Sequence, residues 1–129
     1  MNIANKYALS DFDCPFKPTL SPIVHEIHAE VKQWAKKFQL IKSDQDQDDF
    51  EKLRVAWLIC RAFHDTEKER ILLSAKFTFW LYKVDDLFDK QQSGKDNEKT
   101  SKMVESFCEI LALNRMVDLD IGTPLESAL

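Results

Sequence analysis

The sequence predicts an all-α fold, and three observations lead to that prediction. Apolar residues recur every three or four positions along several stretches, which is the spacing of one face of a helix. Glycine and proline, which interrupt helices, number only two and four in 129 residues. The stretch from Ile71 to Lys90 is nearly all apolar before its aspartates and contains neither glycine nor proline. Its length suits a buried helix better than a strand.

The bulk composition limits the class of protein. At 129 residues the chain forms one domain at most. A formal net charge of -4 and the lack of a basic face argue against nucleic-acid binding. Lys76 and Lys83 interrupt the most apolar stretch, so we expect no membrane span. The N-terminus lacks the pattern of a signal peptide and the three separated cysteines are typical of free thiols, so we expect a cytoplasmic protein.

The chain divides into an extended N-terminal segment, residues 1–20, and a helical domain, residues 21–129. Pro15 and Pro18 prevent a long helix in the first segment. Ser21 and Pro22 then predict a helix start, with the serine as N-cap, and this helix should reach about residue 40. A second helix is predicted from about 48 to 63, after an acidic stretch whose charges suit a helix N-terminus.

Three further helix starts follow. Thr66 and Glu69 form a capping-box pattern, so a third helix should run over about 67–90. A fourth is predicted over about 96–116, with Met103, Phe107 and Ile110 in its inner row. Thr123 and Pro124 begin another helix a few residues before the sequence stops. We therefore expect an interrupted fold rather than a finished four-helix bundle.

Four polar residues mark one side of the third helix. Glu69, Lys76, Lys83 and Lys90 recur every seven positions and predict a narrow solvent face, with most of the remaining surface packed. At about 100° per residue, Asp85 lies roughly 160° from Lys83. Asp89 lies about 120° away and Asp86 only about 60° away.

This spacing predicts a cation site on the third helix. Asp85 and Asp89 are one turn apart, so both carboxylates can reach a common point inside the helix cluster. Burying them unpaired would cost several kcal/mol, and a bound cation would remove that cost. Oxygen ligands of this kind suit Mg²⁺. The alternative is a solvated acidic cluster at a helix end, where no metal is bound.

From about Phe16 to the last residue, the chain resembles the N-terminal half of a class I terpene synthase of the bacterial single-domain kind. Four motifs in order support the resemblance: a WA-x-x-F pattern at Trp34, Ala35 and Phe38; RVAWLICRAFHD; FTFWLYKVDDLFD, with Trp80 ahead of D-D-x-x-D; and GTPLESAL. D-D-x-x-D alone is a weak signal. The order and spacing of all four make it specific.

The resemblance implies a Mg²⁺-dependent cyclase. In such enzymes the aspartate motif binds Mg²⁺ ions that hold the diphosphate of a linear isoprenoid, such as geranyl or farnesyl diphosphate. Diphosphate departs, and the allylic cation cyclises in a dry, aromatic-lined pocket. By position, Asp85 and Asp89 would be metal ligands and Asp86 would support them. The pocket would be lined by Phe77, Thr78, Leu81 and Tyr82, for which plain core packing is the alternative.

The sequence also departs from that family. The second metal motif, N-D-x-x-S-x-x-x-E, is absent, as are the diphosphate-sensing arginine and the C-terminal Arg-Tyr pair. We therefore expect a fragment with little or no cyclase activity alone. The alternative from another class is a non-catalytic helical module or remnant with a structural acidic cluster. A prenyl-chain-elongating synthase is disfavoured because no arginine-rich segment follows the motif. Chain length of the substrate, product skeleton and oligomeric state stay open.

Overall fold

A computed structural model describes residues 13–92, 97–113, 116–118 and 122–129 of this chain. These ranges contain helices and no strand, which confirms the all-α prediction. The helices are α1 (Val24–Lys37), α2 (Asp44–Leu53), α3 (Val55–Ala62), α4 (Lys68–Gln92), α5 (Asn97–Leu113) and α6 (Pro124–Ala128). Residues 13–20 are exposed and carry no helix, while the first twelve residues of the predicted extended segment lie outside the described ranges. None of the described helices is long and apolar enough to cross a membrane.

The first helix begins later than the sequence suggests. Ser21 is buried and its N–H donates to the carbonyl of Cys60 at 3.0 Å, so it serves a contact with α3 rather than a cap. Ile23 occupies the N-cap position without a side-chain hydrogen bond. At the other end, the N–H groups of Gln39 and Leu40 donate to the carbonyls of Lys36 and Ala35. That pattern is a Schellman motif, and it places Gln39 in the left-handed region at φ 57°.

The single helix predicted over 48–63 is two helices. α2 starts at Asp44 behind a capping box formed by Ser43 and Asp46. Arg54 then adopts a left-handed conformation at φ 48°, which ends α2 and begins α3. An arginine carries no signal for this conformation, so the break could not be read from the sequence.

The fourth helix, α4, contributes to two cores. Ile71, Ala75 and Phe79 are buried against α1, α2 and α3. Trp80 and Val84 are buried in a second cluster with Phe107 of α5. The indole N–H of Trp80 also donates to the carbonyl of Leu125 at 2.8 Å, which ties α6 to α4.

The prediction of a solvent face along α4 is wrong for its two middle residues, Lys76 and Lys83. Both lysines are half-buried, and their ammonium groups lie over the aromatic rings of Trp34 and Phe79. Part of the surface predicted to be packed is open instead. Leu73, Phe77 and Leu81 lie four residues apart and are exposed, and we call these three residues the open row.

The last two predicted starts are close to the observed ones. α5 begins at Asn97, and Phe107 and Ile110 of its predicted inner row are buried. α6 begins at Pro124 with a capping box between Thr123 and Glu126, as the sequence indicates.

Candidate functional site

The three aspartates lie on the last turns of α4, and all three are exposed. The sequence predicts that Asp85 and Asp89 face the inside of the helix cluster. Both are exposed instead, so the structure differs from that prediction. The desolvation cost that motivated a buried cation does not arise in the described chain. Their order around the helix agrees with the sequence, because Asp85 and Asp86 open into different cavities.

Asp85 lies in the wall of an apolar depression on α4. The depression has a volume of about 450 Å³ and is lined by Thr78, Leu81, Tyr82, Val84, Asp85 and Phe88. We call it the apolar groove. Three of the four side chains predicted to line a pocket are therefore gathered beside a carboxylate. Val84 and Phe88 were not predicted, although both lie within one turn of Asp85.

Phe77, the fourth predicted lining residue, is not in the apolar groove. Its ring stacks on Trp80, with ring centroids 5.9 Å apart and planes inclined by 13°. It lines a smaller cavity of about 140 Å³ together with Trp34, Leu73, Lys76, Trp80, Ala128 and Leu129. Phe77 is 46 % exposed, so the plain core packing considered for it does not apply.

Asp86 faces a second cavity on another side of α4. This cavity, the lysine cavity, measures about 320 Å³ and includes Lys42, Lys83, Lys90, Asp46 and Asp86 in its wall. The wall also contains apolar side chains of α4, α5 and α6, among them Leu87, Met103 and Leu125, and the end of α1 at Gln39. The shared cavity of Lys83 and Asp86 agrees with the angle of about 60° between them on the helix.

The carboxylate of Asp46 is the most strongly held acid near this site. Its Oδ2 accepts hydrogen bonds from the backbone N–H groups of Lys42 and Ser43, each at 3.0 Å. Its Oδ1 lies 3.4 Å from Nζ of Lys83. The Lys42 N–H, with Ser43 and the Lys83 ammonium, lowers the pKa of Asp46 to about 2 against the opposing effect of burial. The S-x-x-D spacing of a capping box could have identified this residue in the sequence.

A separate charged cluster joins α1 to α2. Nζ of Lys32 lies 2.6 Å from Oε1 of Glu51, and Nε2 of His28 lies 2.9 Å from Oε2. The bond from Lys32 is the main cause of a lowered pKa at Glu51. His28 also stacks on Phe50, with centroids 4.9 Å apart. This histidine therefore packs and pairs within the fold, consistent with its half-buried position.

The metal chemistry available to this site is limited. Across the described ranges, no group of three or more histidine, cysteine, aspartate or glutamate side chains could hold a metal ion. Asp85 and Asp89 nevertheless present exposed carboxylates one turn apart. Mg²⁺ is commonly held by one or two carboxylates, with waters and phosphate oxygens completing its octahedron. With two carboxylates alone, waters and phosphate oxygens would have to supply the remaining positions of a Mg²⁺ octahedron.

Comparison with known proteins gives two similarities. The chain is 29 % identical over 80 residues to a sesquiterpene synthase of Metarhizium brunneum, covering 62 % of this chain and 23 % of that protein. It is 27 % identical over 97 residues to a (+)-T-muurolol synthase of Roseiflexus castenholzii, covering 75 % of this chain and 29 % of that protein. The chain is distantly similar to terpene synthases. It spans about a quarter of the length of these curated relatives. No protein-family model matches the chain, and no solved structure does.

Proposed function

We propose that this chain belongs to a terpene synthase, an enzyme that cyclises a linear isoprenoid diphosphate and releases diphosphate. The observation that supports this most is the apolar groove, in which Leu81, Tyr82 and Phe88 share the wall with the carboxylate-bearing Asp85. A hydrocarbon chain with an anionic head needs a surface of this kind. The similarity to two terpene synthases supports the same function independently.

The substrate would lie with its hydrocarbon along the apolar groove and its diphosphate beyond Asp85. Asp85 and Asp89 would hold Mg²⁺, and that ion when bound stabilises the negative charge of the departing diphosphate. Tyr82 and Phe88 offer aromatic faces that can stabilise the remaining carbocation by cation–π attraction. The apolar lining would delay its capture by water. Farnesyl diphosphate is our first choice of substrate, since the Roseiflexus relative is named for its cyclisation.

The groove is open along one side in this chain. Leu81 and Tyr82 are 45 % and 39 % exposed, so water reaches the surface that would have to stay dry. The chain also covers only about a quarter of its relatives' length. We therefore propose that the chain alone retains ligand binding but has little cyclase activity, because a carbocation in an open groove is captured by water.

Ligand binding tests this proposal directly. The purified chain would be titrated with farnesyl diphosphate by calorimetry, with and without Mg²⁺. We expect heat of binding only with Mg²⁺, and its loss in Asp85→Asn. Asp48→Asn, which removes an exposed aspartate of α2, is the matched control and should bind like the wild type. Equal binding by Asp85→Asn and the wild type would show that the aspartate motif is not the diphosphate site.

Product analysis extends the test. The chain would be incubated with Mg²⁺ and geranyl or farnesyl diphosphate, and extracted hydrocarbons and alcohols analysed by gas chromatography. Any terpene product should disappear in Asp85→Ala. If product forms and survives that substitution, the role proposed for Asp85 is wrong.

A non-catalytic helical module is the second candidate function. It is favoured by the exposure of all three aspartates and by the lack of a three-ligand metal group in the described part of the chain. A ligand that binds only the folded state must raise the melting temperature. A melting temperature that Mg²⁺ and diphosphate together leave unchanged would support this module over the synthase.

A further inference from the structure

Lys83 is a charged residue placed where α4 is packed rather than solvated. Its side chain is only 20 % exposed, and its Nζ lies 5.7 Å from the ring centroid of Phe79. The same Nζ lies 3.4 Å from Oδ1 of Asp46 on α2. Lys83 comes two residues before Asp85, so whatever holds it also acts on the aspartate end of the helix.

The Asp46 end of this ion pair is rigidly held. Its other carboxylate oxygen accepts the backbone N–H groups of Lys42 and Ser43, and its own N–H donates to the Ser43 hydroxyl at 3.1 Å. These bonds fix the carboxylate to the first turn of α2. A lysine that pairs with it is therefore directed to one point of the fold rather than to a mobile surface acid.

A second contact between α2 and α4 lies one turn away on each helix. Phe50 of α2 packs edge-on against Phe79 of α4, with ring centroids 5.1 Å apart. Phe50 follows Asp46 by four residues, and Phe79 precedes Lys83 by four. The two contacts therefore join α2 to α4 one turn apart. The Phe50–Phe79 contact lies in the buried core, and the Asp46–Lys83 ion pair lies one turn nearer the aspartates.

We propose that the Asp46–Lys83 ion pair, together with the burial of Val84, holds the rotation of the aspartate end of α4, and that Lys83 is a positioning residue for the diphosphate site. Successive residues differ by about 100° around a helix. With Lys83 held towards α2, Asp85 opens into the apolar groove and Asp86 into the lysine cavity. The inference rests on the proposed function, because it assigns the pair its role in presenting Asp85 to a diphosphate.

The start of α4 provides a matched control. Lys68 pairs with both Glu26 and Glu30 of α1, the latter at 2.6 Å. Lys68 lies about four turns before Lys83 on the same helix. Lys68→Met therefore removes a lysine ion pair from α4 without touching its aspartate end, whereas Lys83→Met removes the pair beside it. Lys83→Arg keeps the charge and is the conservative variant.

Two measurements test the inference on the purified chain. Hydrogen exchange followed by mass spectrometry should show faster exchange of amides after residue 83 in Lys83→Met, with residues 71–79 unchanged. Calorimetry with Mg²⁺ and inorganic diphosphate should show affinity about tenfold weaker in Lys83→Met, the scale found when a residue supporting a metal ligand is lost. Lys83→Arg should retain most of the affinity, and Lys68→Met should bind like the wild type.

The outcomes separate this inference from the proposed function. Wild-type affinity in Lys83→Met would overturn the positioning role while leaving the proposed function intact. Equal weakening by Lys68→Met would also overturn it, because the effect would then come from general stability. If the wild-type chain does not bind Mg²⁺ and diphosphate, the proposed function fails and the positioning role fails with it. Faster exchange after residue 83 alone would then mean that the pair only holds the fold.

Discussion

The two sides of α4 reverse the usual arrangement of an amphipathic helix. On one side, Lys76 and Lys83 are half-buried among aromatic rings. On the other, Leu73, Phe77 and Leu81 of the open row are 69 %, 46 % and 45 % exposed. Contiguous exposed apolar side chains mark binding or docking surfaces in soluble proteins. The contrast shows that the lysine side contributes to the packed fold, whereas the open row is left exposed as a candidate binding surface.

The contrast between the two sides of α4 can be tested by replacing one apolar side chain on each side with alanine. Phe79→Ala removes a buried ring that packs on Phe50, and should lower the free energy of unfolding by about 3–5 kcal/mol. Leu73→Ala on the open row should change it by less than about 0.5 kcal/mol. Urea unfolding followed by circular dichroism measures both. A large loss from Leu73→Ala would mean that the open row is covered within the fold.

Asp46→Asn tests the ion pair between Asp46 and Lys83 through the pH dependence of stability. The pKa of Asp46 in the folded chain, about 2, is below its ordinary 3.8, so its contribution to stability is full above pH 4 and is lost as pH falls through 2. At pH 7 we expect the variant to be less stable by about 1–2 kcal/mol, allowing for solvent screening. The difference between variant and wild type should shrink as pH falls from 4 to 2. A difference constant across that range would exclude the charge as its cause.

Gln39→Gly should stabilise the wall of the lysine cavity. Gln39 lies in that wall and adopts φ 57° at the end of α1. Glycine adopts this conformation without the steric cost of a Cβ atom, so the free energy of unfolding should rise by about 0.5–1 kcal/mol. Gln33→Gly, within regular α1, is the control and should be destabilising by a similar amount. Thermal unfolding of both variants measures the pair.

Leu81→Asn should have the smallest effect on stability and tests most directly whether the open row binds a ligand. Leu81→Asn exchanges an apolar side chain for a polar one of similar size in the apolar groove. We expect a change in unfolding free energy below about 0.5 kcal/mol, since the side chain is largely exposed. Binding of farnesyl diphosphate should nevertheless weaken, while binding of inorganic diphosphate should not. Equal loss of both ligands would contradict a hydrocarbon site in the groove.

Much of this arrangement could be predicted from local signals. The capping box at Thr123 and the start of α4 needed only neighbouring residues, and both were found. The angle of about 100° between Asp85 and Asp86, which line different cavities, followed from the helical repeat. The caps and the angle between the two aspartates depend on the local chain and not on what packs against it.

The predictions that failed depended on partners distant in sequence. A lysine repeat is typical of a solvent face, but the ammonium group of Lys83 lies over the Phe79 ring and pairs with Asp46 of α2, which is distant in sequence. Ser21 resembles an N-cap but bonds to Cys60. Likewise, the sequence could not show that Phe77 stacks on Trp80 instead of lining the apolar groove.

Trp80 has a consequence for how this chain can be observed. Its indole lies between Phe77 of the open row and Phe107 of α5, with ring centroids 5.9 Å and 5.1 Å away, and it donates to the carbonyl of Leu125. Its fluorescence should therefore respond both to the docking of α6 and to any molecule that covers the open row. With Trp34 and Trp57 replaced by phenylalanine, the chain would carry a single built-in optical reporter. Emission from Trp80 could then follow occupation of this surface without any added label.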